Sequence, residues 1–347
     1  MGDVLRSDDL PNTIRDESDL EEMLSRPPVW LADMLAKADG ALMILGVAGK
    51  VGPTLARMAK RAAPDKRVIG VARFSDPEVK ARLESWGIET IACDLLDCDA
   101  VAGLPDVPNV VYMAGKKFGT DGDRSFAWAM NTHVPALVAE RFATARIVAF
   151  STLCVYPFAP IVGGGWGEEV EPGPTGDYAT SCVGRERMFT YFSRKNGTAG
   201  RLIRLNYAID LRYGVLHDIA NWVRNGTPIK IGTAYASVIW QGDVNAQILG
   251  ALAHVTSPTS PLNVGGPEFM SVRLAAQEFG RRFGKAAIFE GEEAADGWYN
   301  NTLNAQRLYG YPTVPLGRMI DWVADWVERE MPAHHKPTCY EERGGSF

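Results

Sequence analysis

Apolar residues along this chain fall into short blocks whose spacing changes from the helical to the strand period and back. Before residue 41, Asp16-Glu17-Ser18-Asp19-Leu20-Glu21-Glu22-Met23-Leu24 and Val29-Trp30-Leu31-Ala32-Asp33-Met34-Leu35 set apolar side chains three and four apart. That spacing predicts two short amphipathic helices broken by Pro27-Pro28. They are expected to form an extension, residues 1–40, outside the core and lying against it. From Ala41 onward compact apolar runs alternate with helical patterns. Ala41 to Leu45, Arg67 to Val71, Ile88 to Ala92, Asn109 to Met113, Arg146 to Phe150 and Arg201 to Leu205 are the predicted strands. The rhythm implies an α/β fold with a doubly wound parallel sheet over residues 41–205.

After Asn206 the pattern shifts to short strands, Pro228 to Ile231, Ser237 to Trp240 and Leu262 to Val264. Between them come helices at Val215 to Arg224, Val244 to Ala253, Val272 to Phe283 and Leu316 to Glu328. Residues 206–330 are therefore expected to form a smaller C-terminal substrate lobe, with some segments returning to the sheet domain. Residues 331–347 read as a polar tail.

With 347 residues, 46% of them hydrophobic, 22% charged, and 35 glycines, the chain suits one large enzyme-sized body. A net charge of −6 argues against nucleic acid or an anionic membrane as partner. The basic run Arg57, Lys60, Arg61, Lys66, Arg67 reads as a solvated helix end. Cysteines 93, 98, 154, 182 and 339 are odd in number and irregular in spacing, so no disulfide framework or zinc site is expected. A cytoplasmic location is the expectation, since no run approaches the roughly 18 apolar residues of a membrane span and no signal-peptide pattern opens the chain.

The chemistry begins at Gly46-Val47-Ala48-Gly49-Lys50-Val51-Gly52, which follows the first apolar strand and precedes a helix with Pro53 in its first turn. Glycines at this strand-to-helix turn allow the backbone to approach a pyrophosphate at the helix amino terminus. The context makes this a Rossmann-type dinucleotide fingerprint. The next strand ends at Ala72, where a ribose-binding carboxylate would favour NAD, and Arg73 follows. A guanidinium there suits the 2′-phosphate of NADP, or else stacks on adenine in an NAD protein.

The order of these landmarks resembles the extended branch of the short-chain dehydrogenase/reductase superfamily, the sugar epimerases, dehydratases and related reductases, over about residues 41 to 330. The resemblance matches Gly46, Gly49 and Gly52 to the glycine motif, and Asp94-Leu95 to the adenine-holding acidic segment after the third strand. It matches Ala114-Gly115 to the small residues ending the fourth strand, Asn131 to a helix asparagine, and Asn206 to the strand end beside the nicotinamide. Asn263-Val264-Gly265-Gly266 matches a later asparagine-glycine segment. Thr152-Leu153-Cys154-Val155-Tyr156 matches the Ser/Thr-x-x-Val-Tyr segment, and Tyr178-Ala179-Thr180-Ser181-Cys182 matches Tyr-x-x-x-Lys except that Cys182 stands where the lysine belongs.

By that resemblance Tyr178, with Thr152, exchanges a proton with a substrate hydroxyl or carbonyl during hydride transfer. A lysine four residues on would lower the tyrosine pKa, which is about 10 unperturbed. Cys182 supplies no such charge. Arg185, seven residues beyond Tyr178 on nearly the same helix face, either supplies it or is an ordinary exposed arginine. Cys154 resembles the acid/base cysteine of GDP-mannose 3,5-epimerase and GDP-fucose synthase, or is a small core residue. A second acid would come from Asp210, Arg212 or His217. Lys116 and Lys117 either hold an acidic substrate or cofactor phosphate, or are solvated. His334-His335 makes no metal site by itself, and Asp121-Gly122-Asp123 reads as a turn.

These expectations describe an NAD(P)-dependent oxidoreductase or epimerase acting on a sugar or sugar-acid. A cofactor-binding sensor with its redox site disabled by Cys182 is the alternative. The helical patterns of 122 to 142 and 178 to 193 match the family's dimer helices and imply a homodimer.

Overall fold

The computed structural model describes residues 4–117 and 122–345, so Asp121 of the predicted turn lies outside the described residues. Seven parallel strands form the central sheet. In chain order the first half runs α1 (Glu17–Leu24), α2 (Val29–Ala36), β1 (Leu42–Leu45), α3 (Gly52–Ala62), β2 (Val68–Ala72), α4 (Pro77–Ser85), β3 (Glu89–Ala92), α5 (Cys98–Ala102) and β4 (Asn109–Tyr112). Then come α6 (Arg124–Trp128), α7 (Val134–Arg141), β5 (Arg146–Thr152) and α8 (Gly176–Asn196). The sheet order is β3-β2-β1-β4-β5, continued by strands Gly200–Leu205 and Ser260–Val264. Register pairs Leu42 with Val68 on one side and with Asn109 on the other. This is a Rossmann-type doubly wound sheet. Strand Ser260–Val264 joins its edge beside Gly200–Leu205, so the predicted Leu262 to Val264 strand belongs to the sheet.

The strand period of two divides the apolar residues between two layers. Leu42, Ile44, Val68, Val111, Val148 and Ile203 pack under α2 and α3 on one face, while Met43, Leu45, Ile69, Val71, Val110 and Ile147 pack under α7 and α8 on the other. Burial on both faces is what makes these strands read as continuous apolar runs.

The second half carries α9 (Val215–Asn225), α10 (Gln241–Gly250), α11 (Val272–Phe283), α12 (Leu303–Tyr309) and α13 (Leu316–Glu328), with strand pairs of two or three residues between them. α10 packs back on α2 and α3, whereas α9, α11 and α13 enclose a separate core that includes Trp240, Trp322 and Trp326.

Two expectations need correction here. Residues 1–40 are not an extension outside the core: Leu20, Met23 and Leu24 of α1 are fully buried in the α9–α11–α13 core, and Leu31 and Leu35 of α2 in the sheet core. Nor is the segment after α13 a free tail, since Thr338 and Tyr340 are buried. Amphipathic spacing announced the buried faces but could not say which core received them. The basic run is partly tied down as well. Arg61 pairs with Glu22 of α1 at 2.8 Å, and Lys66 Nζ donates to the Ala38 carbonyl at 2.7 Å.

The helix expected over 122 to 142 is interrupted by a π turn at Ala129–His133. Pro135, in the first turn of α7, has no amide proton to give the carbonyl four residues back, that of Asn131. The Val134 amide bonds instead to Ala129, five residues back, and the widened turn holds Asn131 fully buried.

Candidate active site

The carboxyl edge of the sheet gathers the predicted cofactor residues, because every parallel strand ends there. At Gly46 φ is +90°, and a Cβ would come within 2.7 Å of the Ala114 amide nitrogen on the neighbouring strand end. A Cβ at Gly52 would collide with the Val47 carbonyl. Only glycine fits either place. A Cβ at Gly49 would make only ordinary contact, 3.5 Å from the Gly46 carbonyl oxygen, and Val51 precedes the first turn of α3, whose amino terminus points at the turn. Such a cradle of turn and helix amino terminus suits a dinucleotide pyrophosphate. Arg73 is exposed directly after β2, and across from it the exposed Asp94 accepts from the Leu96 amide at 3.1 Å, with Leu95 buried beside it. Ala114 and Gly115 follow β4. Asn206 is buried beyond its strand, donating from Nδ2 to Asn300 at 2.7 Å and accepting from the Tyr207 amide.

The predicted catalytic residues converge beside this cradle. Thr152 ends β5 and caps the short 3-10 turn Leu153–Val155, accepting from the Cys154 amide at 3.2 Å. Tyr178 comes from the first turns of α8, and its phenol stands close enough to the Thr152 hydroxyl for Thr152 to favour its ionised form. Burial pushes this phenol well above its ordinary value. The neighbouring Cys182 and Cys154 push the same way, and Arg185 and Thr152 only partly oppose them. Burial also raises the thiols of Cys154 and Cys182, so both are held neutral. The Cys182 side chain is sealed among Val155, Tyr156 and Trp166 and is 0% exposed, a packing position with no open route to a ribose.

Arg185 is not the exposed arginine that the helix pattern allowed. It is 5% exposed, donating from Nη1 to the Phe150 carbonyl at 2.9 Å and from Nη2 to Asn131 Oδ1 at 2.7 Å. Nη2 lies directly against Gly115, where a Cβ would stand 2.5 Å away. Asn131 is thereby fixed. Its Oδ1 also accepts from the Lys116 amide, and its Nδ2 donates to the Lys116 carbonyl and to Ser181. A permanent positive charge thus lies buried between α8 and the Ala114-Gly115 turn, one helical turn below Cys182.

The post-Asn206 candidates separate. Asp210 accepts three bonds from Arg212, to its backbone amide, Nε and Nη2, so neither oxygen is left for proton chemistry. His217 is held neutral at working pH, its pKa lowered to about 4 by burial. Lys117 is half-buried rather than solvated, donating from Nζ to the Thr338 carbonyl at 3.2 Å, and its charge is felt by Cys154. Lys50 is half-buried, its Nζ over the Tyr213 ring at 4.3 Å, and its pKa is lowered to about 8 by burial, with Asp210 opposing.

Sequence reasoning missed Ser181, Asp218 and Thr338. It also missed the buried Glu186–Arg204 pair, in which Arg204 Nη2 stands 2.8 Å from Glu186 Oε2 while Ser151 donates to Glu186 at 2.6 Å, joining α8 to β5 and its neighbouring strand. Glu186 eight residues beyond Tyr178 was the available signal. Among the described residues no group of three or more ligating side chains could hold a metal, and no helix is long and apolar enough to cross a membrane.

No family model matches the sequence, and no curated protein matches it. Solved structures do. The chain superposes on a UDP-glucuronic acid 4-epimerase from Bacillus cereus, in complex with UDP-glucuronic acid and NAD, with TM-score 0.69 and 19% identity over 84% of this chain and 99% of that one. It superposes on a dTDP-glucose 4,6-dehydratase from Streptomyces venezuelae with TM-score 0.69 and 17% identity, covering 83% and 97%. A UDP-glucose 4-epimerase from Thermus thermophilus, in complex with NAD, gives TM-score 0.66 and 18% identity, covering 82% and 98%. The chain has the fold of these proteins.

Proposed function

We propose that the chain is an NAD(P)-dependent enzyme of the extended short-chain dehydrogenase/reductase type, acting on a sugar or sugar-acid by transient oxidation and epimerisation or by ketone reduction. The observation that carries the reading is the juxtaposition of Tyr178 and Thr152 beside a glycine cradle at the carboxyl edge of the sheet. Gly46, Gly49, Lys50, Val51 and Gly52 would hold the pyrophosphate, Asp94 and Leu95 the adenine, and Ala114, Gly115, Asn131 and Asn206 the nicotinamide half. Bound there, a nicotinamide cofactor would exchange a hydride with the substrate carbon. Arg73, exposed after Ala72 with no carboxylate in that position, supports NADP over NAD. The solved structures of the same fold carry NAD, so the preference belongs to this chain's own second strand.

Tyr178 would donate its proton to a substrate carbonyl as the hydride arrives, or accept the hydroxyl proton as it leaves, with Thr152 holding the same oxygen. A neutral phenol is suited to the donating direction without further help, whereas the accepting direction needs the phenolate. The Arg185 guanidinium takes over part of the missing lysine's electrostatic role from below, as a positioning residue. Cys154, in reach of the Lys117 charge, is the candidate for moving a carbon-bound proton in epimerisation. Lys117 and Lys50 suit an acidic group on the substrate. Five free cysteines fit a reducing cytoplasm, and the partly exposed Trp128 and Tyr191 on α6 and α8 fit a homodimer built on those helices.

Tyr178→Phe tests the reading. It should abolish turnover while cofactor affinity, followed by fluorescence titration, stays within about twofold. Turnover surviving in Tyr178→Phe would rule out tyrosine-based redox chemistry. Tight cofactor binding with no substrate turned over would favour the sensor.

A further inference from the structure

The segment after α13 folds back onto the molecule beside this site instead of leaving it. Trp326 Nε1 donates to the Pro332 carbonyl at 3.0 Å, and the His334 amide donates to the Arg212 carbonyl at 3.0 Å. Thr338 then donates to Asp218 Oδ2 of α9 twice, from its amide at 2.8 Å and its hydroxyl at 2.6 Å. The Thr338 carbonyl receives Lys117, which follows β4 on the sheet edge. Tyr340 is fully buried with its ring 5.9 Å from Trp222 of α9. Arg343 donates to the Asp296 carbonyl at 2.7 Å and lies 4.2 Å over Phe158. Finally Gly345 abuts Thr175 and Gly176, the start of α8 and only two residues before Tyr178.

One stretch of chain therefore connects α9, the edge of the sheet beyond β4 and the first turn of the catalytic helix. Its contacts with Lys117 and with the start of α8 place it beside Tyr178. The backbone is held at both ends and in the middle, and His335 and Cys339 adopt left-handed conformations that fit the segment to its bed.

We propose that residues 332–345 form a fixed wall of the substrate site which admits a free monosaccharide derivative and excludes a sugar carrying a nucleotide. The proposal rests on Tyr178 and Thr152 marking the reacting end of the site. It separates this chain by substrate class from proteins of the same fold that bind nucleotide-linked sugars. On this proposal a nucleoside diphosphate, longer than the sugar it carries, would run from the reacting carbon toward α9, the side that Thr338 and Tyr340 cover.

The probes are UDP and UDP-glucuronic acid, titrated calorimetrically into the full chain loaded with cofactor. Neither should bind at millimolar concentration; micromolar binding of either to the full chain overturns the proposal. Thr338→Ala with Arg343→Ala removes two anchors and leaves the buried Tyr340 in place. Release of the segment is read by chymotryptic cleavage after Tyr340, which is buried while the segment is in place, and UDP affinity should rise by at least about tenfold. Where the segment stays protected, a chain ending at Ala333 is used, with retained cofactor binding as the sign that it folds. A released or shortened chain that binds cofactor normally and still takes no UDP overturns the wall. None of these readouts needs turnover, so they fail or succeed independently of the Tyr178→Phe test.

Discussion

Arg185 and Asn131 meet 2.7 Å apart beneath the turn that follows β4, tying α8 to the π turn that Pro135 opens. The contact places the only buried guanidinium of α8 on the side of Tyr178 that a lysine at position 182 would have served. It also explains why position 182 can be a small apolar thiol: the charge enters from one turn further along the helix.

Replacing Arg185 by Met should therefore act on chemistry and on stability together. Loss of two buried donors leaves Asn131 Oδ1 and the Phe150 carbonyl short of partners, costing about 1–3 kcal/mol of unfolding free energy. The pH profile separates this from mere loosening. Burial already holds the Tyr178 phenol well above 10, so the oxidising rate of the parent should keep climbing above neutral pH, and without Arg185 the climb should shift further to alkaline. A profile that keeps its shape while only the rate drops would leave Arg185 a purely structural role.

Arg73→Ala tests the cofactor preference. Fluorescence titration of the parent should show tighter binding of NADPH than NADH, and the variant should lose most of the difference, about tenfold or more for a lost charge-assisted phosphate contact. Equal affinities in the parent would assign Arg73 to adenine stacking.

The buried amino-terminal helix predicts a destabilising truncation far from the site. Leu24 is 0% exposed in the α9–α11–α13 core, and Leu24→Ala should cost about 2–5 kcal/mol in chemical denaturation. A change below about 0.5 kcal/mol would mean that α1 is peripheral after all.

Asp243 at the start of α10 makes stability depend on acid. It accepts from the Thr313 and Val314 amides at 2.9 and 3.0 Å, yet burial raises its pKa from 3.8 to about 6. The folded state thus holds a proton that the unfolded chain releases between those values, so this group's contribution to stability is full below about pH 4 and is lost as pH rises to about 6. The loss amounts to about 3 kcal/mol. Asp243→Asn should remove that falling component from the unfolding free energy measured between pH 4 and 6, whatever its effect on the absolute value. An unchanged slope would show that Asp243 ionises freely.

Much was legible in the chain because it is local. The strand-to-helix turn Gly46 to Gly52 needs glycine for steric reasons confined to a few neighbouring residues, and the apolar runs of β1, β2, β4 and β5 announce strands buried on both faces. Parallel strands then bring Gly46, Arg73, Asp94, Ala114, Thr152 and Asn206 to one edge by topology alone, which is why a linear reading could assemble that part of the site. What tertiary structure decided lies in side chains whose environment comes from distant segments. Nothing around Arg185 in sequence says that Asn131 and Phe150 will receive it, and nothing near Thr338 says that Asp218, 120 residues earlier, will hold it. Helical spacing gave α1 and the post-α13 segment apolar positions without saying which core would close over them. Burial and charge pairing are properties of the packed molecule, and they alone distinguish a solvated arginine or an unanchored tail from a buried charge under α8 and a segment held on α9.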